Sequence, residues 1–567
     1  MKQMWWKALL LVTLAAVITG CTSAAPAATD QTAAPTATVP AVIELDTEAA
    51  PMGADWVMKA PEENPKRGGT VTTAWGMAPT HFDLHQGGGC AGCGMIYNGL
   101  IMWNVADGYH TIVPALATEW SVSEDHLVYT FKLREGVTFQ DGSEFNADDV
   151  VATFERIINP PDNLSISGIR EQLAMVTSVM APDPLTVEFT LAQPTPFFLE
   201  VLAGDSMIIY SAEELEANNF DLRGVTVPTG TGPFKFVEYV QGEKLVLEAN
   251  TEYWNSELPY VDRIEMLHVP AWPDRGTAVL TGQADFTFNG SVDTWQEAQS
   301  RPEMVTAQAP CLNSHMIAIN NEHPPFDDPL VRRAIHLAID RQAIIDAFTP
   351  VWEPAFVSRW LPAASPWATP QEEVLQLPGY RPDKTEDIET ARQLLAEAGY
   401  PDGFETTFTA WTEASSSEVA VPAFAELMRT ALNITGEIKV VERPRTNDVL
   451  SSGDFDLFKA DIYASPVLDP YPLWNLYLHT GASQNWSKYS NPDFDALLDN
   501  ELALETDPEA RQEIINRGLD MLDENPPFFL IGFCAHSVIA NQAVKGLSIT
   551  DRAWSKFDRF ETVWLDR

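Results

Sequence analysis

The sequence predicts an α/β protein of several domains, and three observations carry that reading. Helix and strand patterns alternate through the second half of the chain, in DIETARQLLAEAG (387–399), FETTFTAW (404–411), AFAELMRTAL (423–432), EIKVVE (437–442), DFDLFKADIY (454–463) and PEARQEIINRGLDMLDEN (508–525). Sheets covered by helices require such alternation. The length, 567 residues, exceeds one core and implies roughly two to four domains. Finally, residues 115–158 pass from strand through tight turns to helix with clear local signals.

Taken in order, the chain opens MKQMWWKALLLVTLAAVITGC, where Lys2 and Lys7 precede an apolar run, Ala8 to Ile18, too short to span a bilayer. This resembles a lipoprotein signal peptide, residues 1–20, cleaved before a lipid-bearing Cys21. Residues 21–65 begin rich in Ala, Pro and Thr without apolar periodicity, and are expected to form a solvated tether. KRGGTVTTAW (66–75) reads as a glycine turn into a strand, followed by the loop MAPTHFDLHQ (77–86), and MIYNGLIMW (95–103) resembles a known family's helix and Y-x-G-L step.

In LVYTFKLR, Leu127, Tyr129, Phe131 and Leu133 alternate with wetter residues, the period of a half-buried strand. Glu135-Gly136 and Asp141-Gly142 supply turns around a second short strand, Val137-Thr138-Phe139, predicting a hairpin. Asn146 is expected to cap a helix with Asp148 and Asp149 in its first turn, which Pro160-Pro161 stops. Leu185, Val187 and Phe189 alternate like a strand, and GTGPFKFVEYVQGEKLVLEANTEYW (230–254) reads as two strands joined at Gln241-Gly242. Farther on, VLTGQADFTF (279–288) resembles a known family's helix ending at Gly-x-x-Asp before a strand, and Asp328 with Pro329 opens a helix carrying Leu330, Ala334, Ile335 and Ala338 on one face.

The words ALATEWSVSEDHLVYTFKLREGVTFQDGSEFNADDVVATFERII (115–158), together with the 230–254 and 315–345 stretches, resemble the family 5 extracellular solute-binding proteins, the peptide-, nickel- and opine-binding subunits of ATP-driven importers. The matches extend from about Lys66 to about Gly546. This resemblance implies a two-lobed, type II periplasmic-binding-protein-like α/β fold with an extra subdomain inserted in lobe one. The expected limits are lobe I at 66–310 with the insertion at about 100–205, lobe II at 311–530, and a return to lobe I over 531–567. Two crossover strands are expected near Pro310 to Asn320 and near Phe528 to Ile539. Cys311 and Cys534 fall in these strands and are expected to be disulfide-bonded, leaving Cys90 and Cys93 as neighbours able to pair with each other.

The implied function is capture of an extracellular solute by hinge closure and its delivery to a membrane permease, by a lipid-anchored monomer. An oligopeptide is the expected solute; an oligosaccharide, or a chaperone or sensor role on the same scaffold, is the alternative. Residues expected at the ligand are Trp75, His81, Gln86, Trp411, Asp461, Tyr463, Asp469, Trp474 and Trp486, several of them among seventeen tryptophans whose faces can stack on rings or peptide planes. Where peptide binders of this family place an Asp for the ligand ammonium, the chain reads DIYAS (461–465) and ends on Ser465. Asp461, Asp469 and Glu413 are the nearby substitutes.

Composition and motifs narrow the rest. With 80 acidic against 35 basic residues the formal charge is −45, a surface that repels phosphates, so nucleic-acid binding is not expected. There is no G-x-S-x-G, H-E-x-x-H, G-x-x-x-x-G-K-[ST] or post-strand G-x-G-x-x-G, so no enzyme and no cofactor is expected. His81, His85, Cys90 and Cys93 gather soft-metal ligands within thirteen residues, but the pattern lies in a loop and an oxidising compartment favours disulfides, so no metal site is assigned.

Overall fold

The computed structural model describes residues 37–38, 43–44, 64–87, 92–104, 111–165, 169–351, 355–363, 365–412, 415–460, 467–547 and 559–567. The expected signal peptide, Cys21, most of the tether, Cys90, Asp461 and Tyr463 lie outside these residues. In chain order the elements that matter here are β1 (Thr70–Trp75), β2 (Ala117–Val122), β3 (Val128–Leu133), α1 (Ala147–Ile158), β4 (Val176–Asp183), β5 (Thr186–Leu191) and α2 (Phe198–Leu202). They are followed by β6 (Phe234–Val240), β7 (Lys244–Ala249), β8 (Arg263–His268), α3 (Trp272–Leu280), β9 (Phe286–Phe288) and the long β10 (Met304–Ile319). The second half contributes β11 (Glu405–Trp411), β12 (Thr435–Val441), β13 (Leu457–Ala460), α4 (Pro470–Tyr477) and the long β14 (Phe528–Asn541).

The predicted alternation on β3 holds: Tyr129, Phe131 and Leu133 are buried, packed with Phe154 of α1 and Phe189 of β5. Asn146 caps α1 in a reciprocal box, its side chain accepting from the Asp148 amide while Asp149 accepts from the Asn146 amide. The expected hairpin partner does not form. Both edges of β3 are taken, by β2 and β5, so Val137–Phe139 turns through a small loop with a single Thr138–Glu144 bridge. In MIYNGLIMW the short helix Cys93–Ile96 gives way at Tyr97–Leu100 to the strand Ile101–Trp103, which pairs with Thr111–Pro114.

The molecule is two-lobed with an inserted subdomain, and its apolar residues form correspondingly separate cores. One joins Val71, Ile264, Phe286 and Phe288 to Val538, Phe560 and Leu565 near the C-terminus. A second gathers Ile101, Trp120, Phe131, Phe154 and Phe189 around the sheet of β2, β3, β5 and β4, the inserted subdomain. The largest runs from Met316 to Phe533 and includes Trp360, Phe424 and Trp474.

One eleven-stranded mixed sheet threads both lobes in the order β6-β7-β8-β1-β9-β14-β10-β13-β11-β12, with Ala355–Phe356 pairing β14 off this path. Among the described strands only β10 and β14 belong to both halves. They run antiparallel from Met304 opposite Asn541 to Ala318 opposite Phe528, and their ladder is interrupted between Pro310 and Ser314. A disulfide joins Cys311 to Cys534 at that interruption, with the two Cα atoms 5.2 Å apart.

Candidate functional site

Strand register locates the crevice. In the first lobe β1, β8 and β9 are mutually parallel, directly or through β1, and end level with one another at Trp75, His268 and Phe288. Phe288 stands opposite Val538 of β14. In the second lobe β11, β12 and β13 are parallel and end at Trp411, Val441 and Ala460, and Ala460 lies opposite Met316, itself paired with Leu530. Both sets of carboxyl ends therefore point towards the ladder break at Cys311 and Cys534. Val538 and Leu530 are eight residues apart on β14, which is about 26 Å at ~3.3 Å per residue. Ligands of open α/β sheets sit outside the carboxyl ends of the strands. Here two such ends face one another across the crossover.

Each end presents an indole. Trp75, 9% exposed, terminates β1 and meets Phe288 edge to face at 6.2 Å. Trp411, half-buried, terminates β11 under the Arg443 guanidinium at 5.3 Å, and its Nε1 has no hydrogen-bond partner among the described residues. Between them, His536 is buried on β14 beside Asn289, which adopts a left-handed conformation (φ 54°) just after β9 and also accepts from the Ser537 amide. Burial holds the His536 imidazole down at about 4, so it is neutral.

Arg275, which the sequence did not single out, also lies beside the end of β1, against Gly76. It sits in the first turn of α3, the helix that leaves the carboxyl end of β8, and it is 8% exposed. Its Nη1 and Nη2 donate to the Phe288 and Pro270 carbonyls at 3.4 and 3.5 Å, and its Nε has no hydrogen-bond partner among the described residues. Burial lowers its pKa to about 10. The sequence signal was the words WPDRG directly after a strand, and nothing local distinguishes that arginine from a solvated one.

The remaining predicted residues are dispersed. In the loop after β1, the half-buried His81 accepts the Asp83 amide and Gln86 donates to the Ser165 carbonyl. His85 is buried against Arg156, which is paired with Asp83; burial, then Arg156, hold its imidazole down at about 3. Asp469 caps α4 through the Tyr471 amide and takes both branches of Arg511 at 2.8 and 2.7 Å in the second lobe's interior. Trp474 is 0% exposed, and a Cβ at Gly518 would lie 2.6 Å from its ring. Trp486 is half-buried and packs against Tyr477 at 5.8 Å. Among the described residues no group of three His, Cys, Asp or Glu is placed to hold a metal, and no helix is long and apolar enough to cross a membrane.

A second contact joins the halves away from the crossover strands. Val467 is buried in the inserted subdomain's core, the Leu468 amide donates to Glu200 on α2 at 2.8 Å, and Tyr471 stacks on Phe197 with centroids 5.7 Å apart. Ser365 donates to the Leu468 carbonyl and Arg511 holds Asp469, so this segment is fixed to the second lobe as it touches the first.

Comparison with known proteins places this geometry. Residues 111–485 match the model of bacterial extracellular solute-binding proteins, family 5 Middle. The chain is 31% identical over 478 residues to heme-binding protein A of Haemophilus influenzae, covering 78% of this chain and 82% of that protein. It is 30% identical over 429 residues to the glutathione-binding protein GsiB of Salmonella typhi, covering 73% and 79%. Among solved structures, the ABC transporter-associated periplasmic binding protein DppA of Helicobacter pylori, in complex with the peptide STSA, superposes with a TM-score of 0.69 at 25% identity over 88% of this chain and 99% of that one. The chain thus belongs to family 5 of the bacterial extracellular solute-binding proteins, the binding subunits of ATP-binding-cassette importers, and is a binding protein rather than an enzyme.

Proposed function

We propose that this protein is a lipid-anchored receptor that captures an oligopeptide between its lobes and presents the closed form to a membrane permease. The observation that carries the reading is the convergence of two sets of strand ends on the crossover, with Trp75 on one side and Trp411 on the other. A solute touching both ends binds the closed form better than the open one, and that differential affinity drives closure. The lobe limits that fit are 66–310 and 531–567 for the first, with the insertion at about 100–205, and 311–530 for the second. Cys21 carries the lipid, and ATP hydrolysis belongs to a partner.

Within this reading the pocket recognises shape and planar faces more than a terminal ammonium. Ser465 stands where the family's peptide binders place an Asp, and paired indoles suit flat, neutral groups. The same two facts favour oligosaccharides as the second reading. Calorimetric titration of free and N-acetylated peptides, beside β-linked oligosaccharides, separates them: equal binding of both peptide forms is expected, binding of sugars alone selects the second reading, and no binding by either class refutes both. For the anchor, Cys21→Ser is expected to move the protein from the membrane to the soluble fraction; unchanged fractionation disproves lipidation there.

A further inference from the structure

Six arginines are buried among the described residues, and five are neutralised or saturated. Arg156 pairs with Asp83, Arg359 with Asp520 and Asp523, and Arg511 with Asp469. Arg332 donates to the Pro526 and Phe326 carbonyls at 3.0 and 2.7 Å and to Asn525, and Arg341 to the Leu530 carbonyl at 2.8 Å and to Gly379. Arg275 has no such partner; its guanidinium lies over the Trp272 ring at 5.4 Å. Its two carbonyl contacts are the longest of the set, and among the described residues its Nε is unpaired and no carboxylate is bonded to it. Asp274, next to it in the same turn, is exposed.

Three further features make the isolation costly. A buried cation without a counter-charge forfeits its hydration for no Coulombic return. Arg275 lies in the first turn of α3, where the helix dipole disfavours positive charge, and the N-cap, Ala271, offers no side-chain acceptor. The chain as a whole has more than two acidic residues for each basic one, so the absence of a partner here is not for want of acids. Gly76 adds a positional requirement: a Cβ there would lie 3.0 Å from Arg275 Cζ and Nη1, so the residue after Trp75 leaves room for the guanidinium at the end of β1.

We infer that Arg275 is the receptor for a carboxylate of the bound solute, which for a peptide is its C-terminal carboxylate, placing that end of the ligand against the first lobe's strand ends. The unpaired Nε and the loosely held Nη2 form the side-on edge that takes a carboxylate in two parallel hydrogen bonds. This rests on the reading of the protein as a solute receptor, and deepens it by assigning polarity: a peptide enters carboxyl end towards Trp75, with Trp411 at the other side. It also accounts for a pocket that lacks the usual partner for an ammonium.

The test has two arms. A tetrapeptide library free of Asp and Glu is offered as free acids and as C-terminal amides to the full-length protein, and retained species are counted by native mass spectrometry. The wild type is expected to retain acids at least tenfold over amides, Arg275→Met to lose that preference, and Arg275→Lys to keep part of it. Equal retention of both forms by the wild type, or an undiminished preference in Arg275→Met, overturns the assignment. The second arm needs no ligand: the urea midpoint of ligand-free Arg275→Met is expected to equal or exceed that of the wild type, because an uncompensated charge has been removed, whereas a lower midpoint identifies a structural arginine and also overturns it. If neither library is retained, the peptide reading fails and the unfolding arm alone decides the role of Arg275.

Discussion

Replacing Asp469 by Asn tests whether this carboxylate belongs to the ligand or to the fold. Asn keeps the side-chain oxygen that caps α4 through the Tyr471 amide, so the helix start survives. What it removes is the charge that Arg511 meets with two hydrogen bonds of 2.8 and 2.7 Å, both side chains being almost fully buried. Arg511 would retain its bonds to the Leu502 and Glu505 carbonyls but lose its only ion-pair partner among the described residues. Leaving one member of a buried pair uncompensated costs about 3 to 5 kcal/mol. Urea unfolding of Asp469→Asn, followed by tryptophan fluorescence, is expected to show a loss of that size, with solute affinity of the folded fraction unchanged. An unmoved midpoint together with lost solute binding would refute the structural assignment and return Asp469 to the ligand.

Glu200→Ala leaves the buried Leu468 amide without its acceptor, a cost of about 1 to 3 kcal/mol, and is expected to raise the radius of gyration of the ligand-free protein in small-angle scattering; an unchanged profile shows that this contact does not hold the halves together. Replacing Cys311 and Cys534 together by Ser opens a closed loop of sequence separation 223 and is expected to cost at most about 5 kcal/mol in chain entropy; an intact-mass measurement showing both thiols free in the unreduced wild type contradicts the bond. Burial holds His85 at about 3 and His536 at about 4, and burial followed by Arg341 holds His336 well below the usual 6.5. Their depressed values mean that the unfolded chain takes up protons first, so stability is full above about pH 6.5 and falls as pH drops towards 4, by up to about 4 kcal/mol per pH unit for three such groups. An unfolding midpoint that stays constant between pH 6.5 and 4.5 contradicts this. Burial raises Glu214 to about 7, which has the opposite sign: its contribution falls as pH rises from about 4.5 to 7, and Glu214→Gln is expected to remove that part of the profile.

Much of the fold was legible because local chemistry and tertiary structure agree along this chain. Asn146 and Asp328 cap the helices that their positions announce, and the two-residue period of Tyr129, Phe131 and Leu133 is the buried face of β3. Sequence reading failed where pairing depends on distant chain. Val137–Phe139 had the composition of a strand, but β2 and β5 compete for the only free edges of β3. The site was less legible for a related reason. Whether a carboxylate faces a ligand or an arginine is decided by what the fold brings to it: Asp469 receives Arg511 from forty-two positions away, while Arg275 receives no acid among the described residues. The family resemblance put Trp75, Trp411 and Trp474 on the same footing; in the fold Trp75 and Trp411 end strands, whereas Trp474 occupies a helix whose inward face only the packed lobe reveals.

The interruption in the ladder between β10 and β14 has a mechanical meaning. Where the strands are continuously hydrogen-bonded, they resist both bending and sliding past each other; between Pro310 and Ser314 that resistance lapses. A covalent link at this one place returns part of it selectively, since Cys311 and Cys534 can rotate about their bond but cannot exchange neighbours. The pivot is therefore supple in angle and stiff in translation, and the closure proposed above would return the tryptophans at the two strand ends to the same opposing positions each time.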